Sequence, residues 1–481
     1  MKINKGIIPL AIISIIAMIA FIFPYQVHIE NALTLKQETN FDLQISLVRI
    51  IFEPILGLLL YFNRSFYALD EIIQLLYWVF AFFALNLLFK KLRLKEKNQF
   101  KSYFKKQLIL LPVLIGCWFS FLVILIFIPH QNDQIINKSK NWVLIGTHSH
   151  TEYSHDGMIS QENLWKWHKK NGFDAFFITE HNNHNQTLAF VNKQKNKKLL
   201  EKPVVFCGEE FSGSNHLSLL GLKSNFITKG LSDSAVISKA RADGAAILVN
   251  HWFDGERNSL EFYRDLGVDG YEIENTATDK RYSRVIYRRI KAFCENNGLI
   301  MNGGLDYHGY ASACTLWNAF NIPGWEKMDY LTKESSILDI IKNRDQSRLR
   351  VLLLNDRPYY KKENLYLSPI ITLFNYFRTL NFFQISSWGI WILFLHYIHF
   401  KIKSNLSLSP NYTPSRLISG LGILSSIFLI SLGLIYYFRI QDVEGFTEIY
   451  AEYSLILLIV GTALFLFAGF AAKLTFSTKN G

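Results

Sequence analysis

Long apolar segments lie towards both ends of the chain. Six of them are residues 7–23, 72–89, 108–128, 388–400, 417–438 and 455–470, and most of these approach the roughly 20 residues that a helix needs to cross a hydrocarbon core. A seventh, residues 51–62, is shorter and carries Glu53 and Pro54, which is typical of an interfacial or re-entrant segment. The pattern predicts a membrane region of three or four helices in residues 1–130 and one of about three helices in residues 366–475. We therefore expect an integral protein of the cell membrane.

Between these regions, short apolar stretches alternate with polar stretches that contain Gly, Asn and Asp. Strands are predicted at residues 143–147, 175–179, 204–207, 217–222, 246–249, 270–273 and 299–302. Helices are predicted at residues 162–170, 234–242 and 281–295. Such alternation indicates a mostly parallel α/β sheet or barrel, which we assign to residues 141–350.

The charge of the chain points to a membrane rather than to nucleic acid. The formal net charge is +12, but eight basic residues lie within residues 90–106, directly beside two apolar segments. Such a cluster is typical of a cytoplasmic loop, which places the central domain outside the cell. Crossing by residues 51–62 would instead put the domain in the cytosol or the N-terminus outside. We expect the lipid bilayer as a partner and no nucleic acid.

The four cysteines do not form a metal or disulfide motif. Cys117 lies within an apolar segment, and Cys207, Cys294 and Cys314 show no C-x-x-C spacing. We therefore expect all four to be small buried hydrophobic residues.

Nearly every predicted strand is followed by residues that can bind a metal: His148, His150, Glu180, His181, Glu209, Glu210, His251, Glu272, Asp306 and His308. Catalytic groups of α/β barrels collect at the carboxyl ends of parallel strands. Alternate residues of an extended segment point the same way, so His148 and His150 can reach one ion. Imidazoles suit zinc, iron and manganese, and carboxylates such as Glu210 and Asp306 suit a cluster of two or three divalent cations.

The order of these motifs resembles the PHP superfamily, named for polymerase and histidinol phosphatase. The opening motifs are His148-Ser149-His150-Thr151, Ser154-His155-Asp156-Gly157 and the run from Gly172 to Asn182, with Glu180-His181 near its end. The later ones are Gly208-Glu209-Glu210, Asn215-His216-Leu217, Val249-Asn250-His251 and Gly304-Leu305-Asp306-Tyr307-His308. The resemblance covers less than half of the 481 residues.

The resemblance implies a distorted seven-stranded (βα) barrel of PHP type, here flanked by transmembrane helices. It also implies three clustered divalent metals held by nine residues: His148, His150, Asp156, His181, Glu210, His216, His251, Asp306 and His308. Three positions depart from the family pattern: Trp252 replaces a proline, Glu180 replaces an aspartate, and His155 lengthens the Ser-Asp-Gly motif. The extra residue puts the reach of Asp156 in question, and the strand register favours Glu210 over Glu209.

This chemistry predicts a metal-dependent hydrolase, and specifically a phosphoesterase that cleaves phosphomonoesters or phosphodiesters with a metal-bridging hydroxide. His216 or His251 would donate a proton to the leaving group if it is not committed to metal. A carbamate or other ester hydrolase on the same metals is an alternative, and so is a non-catalytic, metal-dependent membrane sensor. The sequence predicts neither a particular phosphate ester nor an oligomeric state.

Overall fold

The structure, a computed structural model, describes residues 7–65, 68–94, 97–130, 132–197, 200–255, 257–277, 284–311, 313–358, 366–405 and 414–476. The strands are β1 (His28–Asn31), β2 (Lys36–Gln37), β3 (Phe41–Gln44), β4 (Gln134–Asn137), β5 (Trp142–Gly146), β6 (Ala175–His181), β7 (Val204–Ser212), β8 (His216–Leu220), β9 (Ala246–Val249), β10 (Gly270–Asn275), β11 (Ile300–Gly304), β12 (Leu316–Asn321) and β13 (Leu349–Asn355). The helices are α1 (Ile7–Ile22), α2 (Leu47–Ile51), α3 (Glu53–Asn63), α4 (Ala68–Arg93), α5 (Lys97–Phe127), α6 (Gln161–Lys170), α7 (Asn185–Lys195), α8 (Asp233–Ala242), α9 (Trp252–Gly255), α10 (Leu260–Asp265), α11 (Arg284–Asn297), α12 (Tyr330–Lys342), α13 (Ser368–Arg378), α14 (Phe382–Asn405), α15 (Pro414–Arg439) and α16 (Glu448–Phe476).

Four of the described helices are long and apolar enough to cross a membrane. They span Ala68–Arg93, Asn98–Phe127, Arg416–Arg439 and Glu448–Lys473, within α4, α5, α15 and α16. Shorter apolar helices lie at Ile7–Ile22 and Phe382–Ile398. Large apolar side chains such as Phe82, Leu424 and Leu466 are exposed on these helices. An outer surface of this kind suits hydrocarbon better than water, which suggests membrane association.

Residues 51–62 do not form a long helix. They lie mostly in α3, which has 11 residues and is therefore about 16 Å long, too short to cross a bilayer. Both ends of this region contact the central domain: Arg49 pairs with Asp133, and Asn63 Nδ2 donates to the carbonyl of Ala311 at 2.8 Å. The chain therefore enters and leaves α2 and α3 on the same side.

The large sheet has eleven strands in the order β11-β10-β9-β8-β7-β6-β5-β12-β13-β1-β2. Strands β5, β6 and β7 are parallel, as are β9, β10 and β11. Strand β8 runs antiparallel to both of its neighbours. Only residues 213–215 separate β7 from β8, and such a short connection allows a hairpin but not a parallel crossover.

The expected closed seven-stranded barrel is not confirmed, because the ladders between the described strands leave the sheet open. Among the described strands, no backbone ladder joins β11 to β5 or to β12. Instead, a side chain of β12 forms hydrogen bonds with the backbone of β11. Gly303 N donates to Asn318 Oδ1 at 2.8 Å, and Asn318 Nδ2 donates to Gly303 O at 2.7 Å. Beyond β11, Ser149 and Tyr307 form an isolated parallel bridge. On the side away from β10, the edge strand β11 is thus held by the Asn318 amide and by the bridge that follows the strand.

The segment between α1 and α2 contributes to the sheet. Strand β1 pairs antiparallel with β13, and β3 pairs with β4. Ile29, Ala32 and Phe41 are buried in the main core. These strands are absent from the sequence prediction because they are both short and largely polar, with the sequences HIEN, KQ and FDLQ.

Both faces of the central strands are buried. In β6, Phe176 and Ile178 belong to one apolar cluster, whereas Ala175 and Phe177 belong to a second one. Helix α12 covers the second cluster with Ile337 and other apolar residues. Strands buried on both faces leave their ends as the place where polar side chains can gather.

Candidate metal centre

The predicted ligands come together at one edge of the sheet. They follow or end β5, β6, β7, β9 and β11, or begin β8: His148, His150, His181, Glu210, His251, Asp306, His308 and His216. Because β8 runs antiparallel, its first residue lies at the edge where the parallel strands end. The hairpin therefore adds an imidazole to the site without a crossover helix.

Glu210 lies at the centre of the cluster. Its carboxylate oxygens lie 3.1–3.2 Å from a ring nitrogen of each of five histidines: His148, His150, His181, His216 and His251. Glu209 points to the opposite face of β7, where it contacts His184 and Thr228. The structure thus places Glu210, and not Glu209, in the site.

Two aspartates also belong to this cluster: Asp306 contacts two of the five histidines, and Asp156 connects the sixth, His308. Asp306 Oδ1 lies 3.3 Å from His148 Nε2 and 3.2 Å from His150 Nε2. Asp156 Oδ2 lies 3.4 Å from His181 Nε2 and 3.2 Å from His308 Nε2. Asp156 therefore reaches the cluster despite the extra residue before it, and the structure brings all nine predicted ligands together.

The donor atoms fit divalent cations. His148, His150, Glu210 and Asp306 can offer four atoms that all lie within 4.8 Å of one another, and His150, His181 and His308 offer a second such group. Several buried atoms have no hydrogen-bond partner among the described residues: His150 Nε2, Asp156 Oδ1, Glu210 Oε2 and His308 Nε2. Buried polar atoms are rarely left in this state without a ligand or an ion. Mixed imidazole and carboxylate donors suit borderline divalent metals.

Carboxylates and imidazoles strongly perturb each other in this site. Burial opposes a proton on His148, but the charges of Glu210 and Asp306 outweigh burial and raise the pKa of His148 well above its usual value. Burial is likewise outweighed at His251, where the hydrogen bond to Glu210 helps to raise the pKa to about 9. A cation binds deprotonated imidazoles, so it competes with these protons for the same nitrogens.

Two positioning residues have no assigned role in the sequence analysis. Glu272 Oε1 lies 2.9 Å from His148 Nδ1, and Glu272 Oε2 accepts a hydrogen bond from His251 N at 3.0 Å. Asn250 Nδ2 donates to Glu210 Oε1 at 2.8 Å. The sequence pointed to Glu272 only as one of the potential metal-binding residues that follow the predicted strands. Asn250 carries no sign beyond its place next to His251.

Glu180 supports the loop that carries Asp156. Its Oε2 accepts hydrogen bonds from Thr151 N at 3.0 Å and from Ser154 Oγ at 2.6 Å. Glu180 stands where the family pattern has an aspartate, and its longer side chain reaches the loop. Trp252, at another departure, is buried and donates its indole hydrogen to Asn258 O at 2.8 Å.

Two ligand-bearing loops are attached to the apolar helices. In the loop before Asp156, Glu152 accepts a hydrogen bond from Arg439 of α15 at 3.0 Å, and its carbonyl accepts one from Phe446 N at 2.7 Å. After His308, Ala311 N donates to the carbonyl of Ile126 in α5 at 2.8 Å. The metal centre therefore faces the ends of the apolar helices.

A family model described as the PHP domain matches residues 146–240. The matched part of the chain contains six of the nine predicted ligands. At the level of the family, the match supports a metal-dependent hydrolase. No curated protein matches the chain.

Several solved structures are similar at low identity. A two-domain protein from Bacteroides vulgatus, containing a predicted PHP-like metal-dependent phosphoesterase, is 16% identical over 44% of this chain, with a TM-score of 0.35. The alignment covers 65% of that protein, which is less than two thirds of its length. PsfC from Pseudomonas syringae is 15% identical over 49% of this chain and 98% of its own, with a TM-score of 0.34. An amidohydrolase from Chromobacterium violaceum, with bound sulfate and no metal, is 11% identical over 37% of this chain and 92% of its own, with a TM-score of 0.29.

Proposed function

We propose that this protein is a membrane-bound, metal-dependent phosphoesterase that hydrolyses phosphomonoesters or phosphodiesters. The observation that carries the proposal is the surrounding of Glu210 by five imidazoles, with buried donor atoms left unpaired, inside a stretch that includes a PHP domain. Two or three ions of zinc, manganese or iron would occupy the nine donors.

Divalent ions bound here would acidify a coordinated water, polarise the ester and neutralise developing negative charge. The residues of the chain hold the ions and exclude solvent, since His148 and Glu210 are fully buried. His216 has a side chain that is 35% exposed, against 12% for His251. Both residues lie at the accessible side of the cluster, and we assign the proton donor to the leaving group to whichever of the two is not committed to metal.

We further propose that β5 to β11 act together as a distorted seven-stranded barrel. The support is the Asn318 amide, which spans β11 and β12, and the bridge between Ser149 and Tyr307. These contacts hold β11 close to β5 without a continuous ladder. In this arrangement ligands from both edges, such as His148 and Asp306, converge on one centre.

We also propose that the catalytic domain lies outside the cell membrane. Helix α4 ends and α5 begins at the basic segment 90–106, whereas the opposite end of α5 contacts the domain through Ile126. Helix α15 likewise reaches the domain at Arg439, its last residue. The basic segment is thus on the side opposite to the domain, which the positive-inside rule makes cytoplasmic.

The test measures metal content and turnover of the full chain in detergent. The substrates are 4-nitrophenyl phosphate, bis(4-nitrophenyl) phosphate and 4-nitrophenyl acetate. We expect metal-dependent turnover of a phosphate ester in the wild type, lost together with bound metal in a His148→Ala, His150→Ala variant. His28→Ala is the control, because His28 lies in β1 and belongs to none of the potential metal-binding groups of the described chain.

The other outcomes separate the alternatives. Turnover of the acetate alone would favour the ester hydrolase. Bound metal without turnover of any ester would favour the sensor. A wild-type protein that binds no divalent metal would contradict all three.

A further inference from the structure

The metal centre adjoins a large cavity between the domain and the apolar helices. Asp156, Asp306 and His308 line a cavity of about 200 Å³. Thr276, Ala277, Tyr310 and Ala311 line both this cavity and a second one of about 800 Å³. The second volume lies within the range of ligand-binding pockets, roughly 300–1,000 Å³. The two cavities therefore meet at a shared wall, one at the metal ligands and one among the helices.

The larger cavity is apolar on the side of the helices and polar on the side of the domain. Its helix side consists mainly of aliphatic residues of α4, α5 and α16, including Leu69, Leu122, Val123, Ile126, Ile456 and Leu457. These three helices are among those long and apolar enough to cross a membrane. Asn63 at the end of α3 and Asp254 and Thr276 of the domain add polar groups at the other end, and Asp70 adds one carboxylate in the first turn of α4. A ligand that fits this division has a hydrocarbon part and a polar head.

We infer that the substrate is an amphiphilic phosphate ester taken from the bilayer, with its alkyl or acyl chain between α4, α5 and α16 and its phosphate at the metal centre. This inference rests on the proposed phosphoesterase function and specifies its substrate class. A soluble phosphate ester would not need the apolar half of the cavity. A lipid outside the bilayer would expose its chain to water, which the apolar wall avoids.

The test compares two chromogenic phosphodiesters with the same leaving group, 4-nitrophenyl hexadecyl phosphate and 4-nitrophenyl ethyl phosphate. The full chain is placed in lipid nanodiscs with divalent metal. We expect kcat/KM for the hexadecyl ester to exceed that for the ethyl ester by about tenfold or more. Equal values in the wild type would overturn the inference and leave the proposed phosphoesterase intact.

Two variants separate a binding cavity from simple partitioning into the nanodisc. Ile456→Trp fills the cavity, whereas Leu466→Trp is a control on the exposed surface of the same helix. We expect Ile456→Trp to lower the hexadecyl rate about tenfold more than it lowers the ethyl rate, and Leu466→Trp to change neither. A preference that survives in Ile456→Trp would reflect partitioning and would overturn the inference.

A binding measurement tests the lipid site if the protein hydrolyses no ester. If no ester is hydrolysed, the phosphoesterase proposal fails, and binding of hexadecyl phosphate and ethyl phosphate is compared by thermal stabilisation. Stronger stabilisation by the hexadecyl compound, reduced in Ile456→Trp and kept in Leu466→Trp, would still support a lipid site. Equal stabilisation by the two compounds would overturn it.

Discussion

At the scale of single residues, the imidazole of His148 is held from both of its ring nitrogens. Nε2 faces Glu210 and Asp306, and Nδ1 lies 2.9 Å from Glu272. A carboxylate behind a ligating imidazole fixes the ring orientation and increases its basicity. The same Glu272 also accepts the backbone hydrogen of His251. One side chain outside the nine predicted ligands thus positions two of them.

We expect Glu272→Gln to weaken metal binding by about 10- to 100-fold, because the neutral amide polarises His148 less than a carboxylate does. The measurement is a titration of the metal-free full chain with Zn²⁺ or Mn²⁺. Glu274→Gln is the matched control: Glu274 is also buried in β10, but it lies beside Arg284 rather than the imidazoles. Equal affinities in the two variants would show that Glu272 does not position the ligands.

The residues that gather at this centre could be predicted one by one, because they follow the ordered motifs on which the family resemblance rests. The choice of Glu210 over Glu209 follows from the strand, since neighbouring side chains point to opposite faces. The roles of Glu272 and Asn250 could not be predicted, because they depend on how the ends of β9 and β10 meet His148 in space. The spacing of residues along the sequence does not reveal these contacts.

At the scale of elements, a buried ionic network joins the short helices to the domain. Asp133, just before β4, contacts Arg49 of α2 and Arg64, which follows α3. Arg64 also contacts Asp356, just after β13, at 3.0 Å. Burial opposes ionisation of Asp133, but the two guanidinium groups outweigh it and lower its pKa. The network therefore fixes α2 and α3 against the strands that flank the domain.

We expect Asp133→Asn to destabilise the protein strongly, since removing one partner leaves buried charges uncompensated at a cost of roughly 3–5 kcal/mol. The loss in the free energy of unfolding should lie toward the lower end of this range, because Arg49 still pairs with Glu53 and Arg64 still pairs with Asp356. Asp42→Asn is the control: the Asp42 pair with Lys138 is about half exposed and worth at most about 1 kcal/mol. Thermal unfolding in detergent measures both, and equal melting temperatures would contradict a structural role for the network.

The elements were predicted unevenly. Strands β4, β12 and β13 were not predicted, although β12 and β13 have five buried residues each. Strands β5 to β11 and the long apolar helices follow from periodicity and length. Strands β1 to β3 do not, because they are short and largely polar. The antiparallel direction of β8 was also missed, although the short connection from β7 already excludes a parallel crossover.

At the scale of the whole molecule, the described apolar helices place the domain and the basic segments at opposite ends. The central domain lies where α5 ends and α16 begins, whereas residues 90–106 lie at the far ends of α4 and α5. The short length of α3 removes the alternative in which residues 51–62 add another crossing. The sequence alone left this point open, because an apolar stretch of that length can cross only if it continues as one helix.

We expect Lys229→Cys, on the exposed surface of the domain, to react with a membrane-impermeant maleimide in intact cells. Lys101→Cys, near the start of α5, should react only after lysis. The unsubstituted chain controls for its own four cysteines, of which Cys207, Cys294 and Cys314 are buried. The reverse labelling pattern would place the domain in the cytosol.

The attachment of the Asp156 and His308 loops to α15 and α5 bears on modularity. In many enzymes a catalytic domain can be moved from one anchor to another, because the anchor only sets its location. Here two of the loops at the candidate metal centre are hydrogen-bonded to the helix region, and β1 and β2 extend the sheet from the N-terminal side. Transplanting residues 141–350 onto a foreign anchor would transfer every motif without the scaffold that aligns them. In this protein, the helices and the sheet form a single engineering unit.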